Sequence, residues 1–123
     1  MTIVTVSVTV LIVDDHAGFR RAARALLEAE GFEVVGEAAD GSYGLELARE
    51  LEPDLVLLDV ALPDMSGFDL AAGLATTPSK VILTSSREHA DYGGRVRRSG
   101  VLGFVPKDGL SGEALHELLG RAR

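Results

Sequence analysis

The stretch Asp54-Leu55-Val56-Leu57-Leu58-Asp59 decides the fold, and Val60-Ala61-Leu62-Pro63-Asp64-Met65-Ser66-Gly67 follows it directly. A short apolar run without alternation predicts a strand buried on both faces, as in a parallel sheet. Pro63, Asp64 and Gly67 mark a turn straight after it. Asp59 therefore falls at the carboxyl end of a central strand. In open α/β sheets that edge is where ligands bind. Taken alone, the stretch leaves Asp59 between two roles: a cap for the turn, or part of a site.

Working outward, the same pattern recurs. Residues 4–10 alternate apolar with hydroxyl side chains, and Val10-Leu11-Ile12-Val13 is apolar throughout. This predicts a first strand, solvated early and buried late, ending in Asp14-Asp15. A helix follows from about Ala17 to Glu30, with Phe19, Ala23, Leu26 and Leu27 on one face and Gly31 as its stop. Residues 32–38 predict a second strand. A second helix is expected from Ser42, taken as its N-cap, to Glu50, burying Gly44, Leu47, Ala48 and Leu51, with Pro53 ending it. A short helix spans Phe68 to Leu74. Val81-Ile82-Leu83 is a fourth strand ending in Thr84-Ser85-Ser86. Residues 87–99 predict a helix weakened by Gly93 and Gly94, each costing ~1 kcal/mol against alanine. Residues 101–105 form a fifth strand running into Pro106-Lys107-Asp108. Ser111 can cap a last helix, with Ala114, Leu115, Leu118 and Leu119 inward and Arg121 near its C-terminus. Five β-α units predict an α/β fold with one doubly wound parallel sheet. A strand order 2-1-3-4-5 would set the third strand between the first and the fourth.

Composition bounds the function. The 123 residues suffice for one domain and are too few for two. A net charge of −7 argues against direct nucleic-acid binding and makes a cation the easier partner. The absence of cysteine excludes disulfides and thiolate metal sites. The N-terminal residues lack a signal-peptide pattern, and no apolar run is long enough for a bilayer. A cytoplasmic location, away from membranes, is the expectation by elimination.

The polar residues then gather. Asp14-Asp15, Asp59 and Thr84 end three strands on one edge, and Lys107 ends the fifth one residue later. Clustered carboxylates suit a hard cation such as Mg²⁺. With Lys107 to neutralise an anion and Thr84 to donate a hydrogen bond, the set suits phosphoryl transfer to Asp59 as nucleophile. Singly, each residue has a plainer role as a cap, a turn residue or a solvated lysine; what argues for a site is that all fall on one edge. His16 is expected to be solvated. His89 and His116 lack metal-ligand spacing.

The motifs Leu11-Ile12-Val13-Asp14-Asp15-His16, Leu57-Leu58-Asp59 through Gly67, Val81-Ile82-Leu83-Thr84-Ser85 and Gly103-Phe104-Val105-Pro106-Lys107-Asp108 closely resemble the receiver domain of two-component response regulators. Val34 to Gly41 and Lys107-Asp108 resemble receivers that precede a LuxR-type helix-turn-helix. The resemblance covers nearly the whole chain. It implies a flavodoxin-like (βα)5 fold and a single receiver domain over residues 1–123, with no output domain in this chain. It implies phosphorylation of Asp59 by a sensor histidine kinase. It implies Mg²⁺ held by Asp15 and Asp59, by Asp14 through water, and by the backbone carbonyl of Ala61. Thr84 and Lys107 would contact the phosphoryl group, and Thr84 and Phe104 match the switch positions. Such a module phosphorylates and dephosphorylates itself but turns over no substrate. It acts on an output domain or protein outside the chain, and a homodimer is left open. Two other readings compete. One is a degenerate receiver serving only as an interaction domain. The other is a haloacid-dehalogenase-like phosphohydrolase, which wants a second aspartate where this chain has Ala61. The span from Asp59 to Thr84 is short for the family, so the third helix or its loop is trimmed.

Overall fold

The computed structural model describes residues 6–87 and 89–120. Five strands, β1 (Thr9–Val13), β2 (Glu33–Ala38), β3 (Leu55–Asp59), β4 (Lys80–Ser85) and β5 (Gly103–Pro106), form one sheet in the order β2-β1-β3-β4-β5. Every pairing is parallel. The helices between them are α1 (Ala17–Ala29), α2 (Gly41–Leu51), α3 (Gly67–Leu74), α4 (Arg95–Arg98) and α5 (Gly112–Gly120).

Strand periodicity sorts the core onto two faces. Leu11, Val13, Val56, Leu58, Val81 and Leu83 point to one side, where they meet Ala48 of α2, Leu70, Ala71 and Leu74 of α3, and Val96 of α4. Val10, Ile12, Leu55, Leu57 and Ile82 point to the other, against Ala23 and Leu27 of α1 and Leu115 and Leu118 of α5. All five residues of β3 are buried. That is why this strand carries no hydropathy alternation.

The parallel register sets the site. Val13 lies opposite Leu58, and Asp59 opposite Thr84. The residue after Val13 therefore emerges beside Asp59. Downstream of β3 the chain turns back so closely that a Cβ on Gly67 would sit 2.4 Å from the Asp59 carbonyl oxygen. Only glycine fits there. The Gly67 amide donates to the Val60 carbonyl at 2.7 Å, and the Ser66 hydroxyl caps α3 by accepting from the Phe68 amide at 3.0 Å.

Several expectations change. β1 begins at Thr9: residues 6–8 lie outside the strand, with Val6 87% exposed, although the Val8 carbonyl still accepts from the Glu33 amide at 2.9 Å, while the alternating residues 4 and 5 lie outside the described chain. The cap of α2 is Asp40, not Ser42. Asp40 Oδ1 accepts from the Tyr43 amide at 2.8 Å, and Asp64 takes the next two amides, Gly41 at 2.7 Å and Ser42 at 2.9 Å. With two carboxylates at the helix start, Ser42 lies inside its first turn. Leu51 is 39% exposed rather than buried, because α2 ends there: Glu52 takes a left-handed φ of 46° and turns the chain toward Pro53. β5 starts at Gly103, two residues later than expected.

The fourth helix is broken, as its glycines suggest. A 3-10 turn covers His89–Tyr92, Gly93 adopts φ +57°, and only the four residues Arg95–Arg98 are α-helical. α3 has eight residues against thirteen in α1, in keeping with the short span before Thr84. Ser111 caps α5 by accepting from the Ala114 amide at 3.0 Å, whereas Arg121 lies outside the described residues.

Candidate functional site

Four elements deliver the site. The end of β1 supplies Asp14 and Asp15, β3 supplies Asp59, β4 supplies Thr84, and the turn after β5 supplies Lys107. Asp14 is held at the sheet edge, its amide donating to the Ala38 carbonyl at 3.0 Å. Arg20 of α1 holds it from the other side, donating from Nη1 to the Asp14 carbonyl at 2.6 Å. Arg20 in turn pairs with Glu37 of β2 at 3.2 Å. This anchoring arginine was not legible in the sequence, where it was one of several on a polar helix face.

Asp14, Asp59 and Thr84 are buried, at 1%, 3% and 1% exposure, whereas the Asp15 side chain is 38% exposed. Lys107 reaches in from β5. Its ammonium lies 2.7 Å from Asp14 Oδ2, an ion pair without hydrogen-bond alignment, and 3.3 Å from Asp59 Oδ2. The Ala61 amide donates to Asp59 Oδ1 at 3.2 Å, so the turn after β3 fixes the carboxylate it follows. Ala61 itself is exposed. Phe104 of β5, opposite Leu83, is half-buried, its ring centroid 5.8 Å from that of Tyr92.

Two like charges share this space. Burial, and then the charge of Asp14, push the Asp59 carboxyl above its ordinary value, against the pull of Lys107. For Lys107 burial works to lower the value, but the close contact with Asp14 and the charges of Asp59 and Asp14 outweigh it and leave the ammonium above its ordinary value. The site thus holds a surplus of negative charge that one lysine only partly offsets.

The donor set fits a divalent cation. One ligand atom each from Asp14, Asp15, Asp59 and His16 lie within 4.8 Å of one another. Thr84 Oγ1 is buried without a hydrogen-bond partner among the described residues, and Asp14 Oδ2 is buried with no hydrogen bond, only its ion pair to Lys107. Buried polar atoms are costly when unpaired, and acceptors at a carboxylate cluster are what a hard cation satisfies.

The sequence placed His16 in solvent. Its side chain is 69% exposed, yet Nδ1 lies 3.1 Å from Asp15 Oδ1, 3.3 Å from Asp14 Oδ1 and 3.4 Å from Lys107 Nζ. Its position next to the acid pair was the only signal. His116 stacks on Phe32 instead, centroids 4.8 Å apart, far from any metal geometry.

Residues 10–119 match the response regulator receiver domain family. The chain is similar to the virulence-factor transcription regulator BvgA of Bordetella pertussis, with 40% identity over 116 residues that make up 93% of this chain and 54% of that protein. It spans about half the length of the curated relatives it matches first. Among solved structures it resembles the signal receiver domain of the response regulator NarL from Mycobacterium tuberculosis, with TM-score 0.82, 35% identity, and coverage of 94% of this chain and 96% of that one. A DNA-binding response regulator of the LuxR family from Staphylococcus aureus aligns at TM-score 0.81 and 26% identity, over 93% of this chain and 97% of that one.

Proposed function

The chain belongs to the response regulator receiver domain family, and from that premise we propose that it accepts a phosphoryl group on Asp59 from the phosphohistidine of a sensor histidine kinase. The observation that carries this reading is the Lys107 ammonium set against two buried carboxylates at adjacent strand ends, 2.7 Å from Asp14 and 3.3 Å from Asp59. A lysine so held meets the incoming phosphoryl oxygens as it leaves the carboxylates.

Asp59 is the nucleophile. Its Oδ2 forms the new bond to phosphorus as the nitrogen–phosphorus bond of the donor breaks, and the donor imidazole keeps the electron pair and takes up a proton. The Ala61 amide, on Oδ1, orients the attacking carboxylate. The Thr84 hydroxyl, without a hydrogen-bond partner among the described residues, donates to a phosphoryl oxygen. Asp15, Asp59, Asp14 through water and the Ala61 carbonyl would hold Mg²⁺. When bound, Mg²⁺ supplies neutralisation of the carboxylates and of the incoming phosphoryl charge.

The 123 residues act as one receiver domain without a turnover substrate. Thr84 and Phe104 are the switch positions, and the output belongs to a domain or protein outside the domain. The net charge of −7 supports a protein partner rather than direct nucleic-acid contact. Among the described residues no helix is long and apolar enough to cross a membrane, in keeping with action in the cytoplasm. Incubation with acetyl phosphate and Mg²⁺ tests the reading: intact mass should rise by one phosphoryl group, and a chain that takes up none under saturating donor would act as a degenerate receiver.

A further inference from the structure

We propose that His16 is a further side-chain ligand at the strand edge, and that it tunes this site toward divalent transition ions such as Mn²⁺ and Zn²⁺. The proposal rests on the reading of the acid cluster as a cation site and adds a nitrogen donor to it. The observation is positional. Nδ1 of His16 lies 3.1 Å from Asp15 Oδ1 and 3.3 Å from Asp14 Oδ1, spacings like those between neighbouring ligands of one small ion. The four candidate donors all fall within 4.8 Å of one another. Among the described residues the buried Thr84 Oγ1 has no hydrogen-bond partner, and Asp14 Oδ2 has no hydrogen bond and only the Lys107 ion pair to offset its charge.

Without a cation the imidazole has conflicting neighbours. A hydrogen on Nδ1 suits the two carboxylates but faces the Lys107 ammonium at 3.4 Å. A lone pair there suits Lys107 but faces the carboxylate oxygens. A divalent cation among them accepts the lone pair and both carboxylates together. Mg²⁺ takes oxygen ligands and gains little from imidazole. First-row transition ions bind imidazole well, with affinity rising along the series toward copper. The local chain favours the arrangement: the His16 amide donates to Asp14 Oδ1 at 2.8 Å, which folds residue 16 back over the acid pair ahead of α1.

The test uses the whole chain with Mg²⁺, Mn²⁺ and Zn²⁺ as probes. Calorimetric titration of wild type and His16→Ala gives the ratio of Zn²⁺ to Mg²⁺ affinity. The ratio should fall about tenfold or more in the variant, the scale on which losing a donor acts at metal sites. Pulsed electron paramagnetic resonance of bound Mn²⁺ should show nitrogen coupling in wild type and in His116→Ala, but none in His16→Ala. An unchanged affinity ratio, or nitrogen coupling that survives in His16→Ala, overturns the proposal. If Mg²⁺ binds while Mn²⁺ shows no nitrogen coupling, the imidazole proposal fails alone. If neither Mg²⁺ nor the transition ions bind, the cation site itself is wrong and this proposal falls with it.

Discussion

Lys107 Nζ lies 2.7 Å from Asp14 Oδ2, nearer than its 3.3 Å to Asp59 Oδ2. The lysine therefore serves first as counter-ion to the acid that follows β1, and only second to the proposed phosphoacceptor. Two buried carboxylates depend on this one ammonium. Lys107→Ala should destabilise the cation-free protein by about 3 kcal/mol, the cost of leaving buried charge unpaired. Millimolar Mg²⁺ should return part of that loss, because the ion replaces the missing charge. Thermal melting of both proteins, with and without Mg²⁺, checks this; equal melting temperatures without the ion would contradict it.

Asp64 ties the turn after β3 to the start of α2. The Gly41 and Ser42 amides donate to it and hold its carboxyl below the ordinary value of 3.8. Because the folded value is the lower one, the contribution to stability is present above the unfolded value and is lost as pH falls through the folded value. Asp64→Ala should therefore melt earlier than wild type at pH 7, and the gap should close below both values. A gap independent of pH would mean that packing, not the carboxylate, is responsible.

Residues 86–100 should show the fastest backbone exchange among the elements. A four-residue helix after a 3-10 turn has few internal hydrogen bonds, and the left-handed Gly93 interrupts the ladder. A segment of low local stability is one that a site on the adjacent β4 can shift at small cost. Hydrogen exchange read by mass spectrometry should find this region exchanging before α1. Protection matching α1 would count against a mobile switch.

The lifetime of an acyl phosphate depends on water reaching it opposite the Asp59 oxygen. Ala61 and Ser86, two residues after Asp59 and Thr84, are both small and exposed. They neither shield the group nor orient water, and these two effects oppose each other. An intermediate lifetime is expected, and Ala61→Leu should slow phosphate release from the purified phosphoprotein with Mg²⁺. Equal or faster release would show that access past position 61 does not limit hydrolysis.

The sheet was legible because burial on both faces leaves a plain mark: Leu55 to Leu58 and Val10 to Val13 are continuous apolar runs, and each ends in a carboxylate. Parallel order then brings Asp14, Asp59 and Thr84 together with no further information. What escaped were contacts between elements distant in sequence. Asp64 caps a helix twenty-three residues earlier, and no local pattern marks that reach. The N-cap itself is the local Asp40, two residues ahead of the expected Ser42, and Asp64 adds to it by taking the Gly41 and Ser42 amides. Arg20 grips the Asp14 carbonyl from a helix face that looked merely solvated. His16 is exposed, as its place after the acid pair suggests, but exposure does not say which way an imidazole turns. Leu51 keeps the helical spacing of the buried face, but it is the last residue of α2 and stays 39% exposed, with Cδ1 reaching over Gly36.

The central claim is that Asp59 alone accepts the phosphoryl group, and intact-mass spectrometry of wild type and Asp59→Asn after acetyl phosphate and Mg²⁺ tests it most directly. Wild type should gain a single phosphoryl group that is lost again on standing, as an acyl phosphate is. Asp59→Asn should gain none while keeping its fold, since its neighbours Leu58 and Val60 still pack the end of β3. The same adduct in Asp59→Asn would contradict the account.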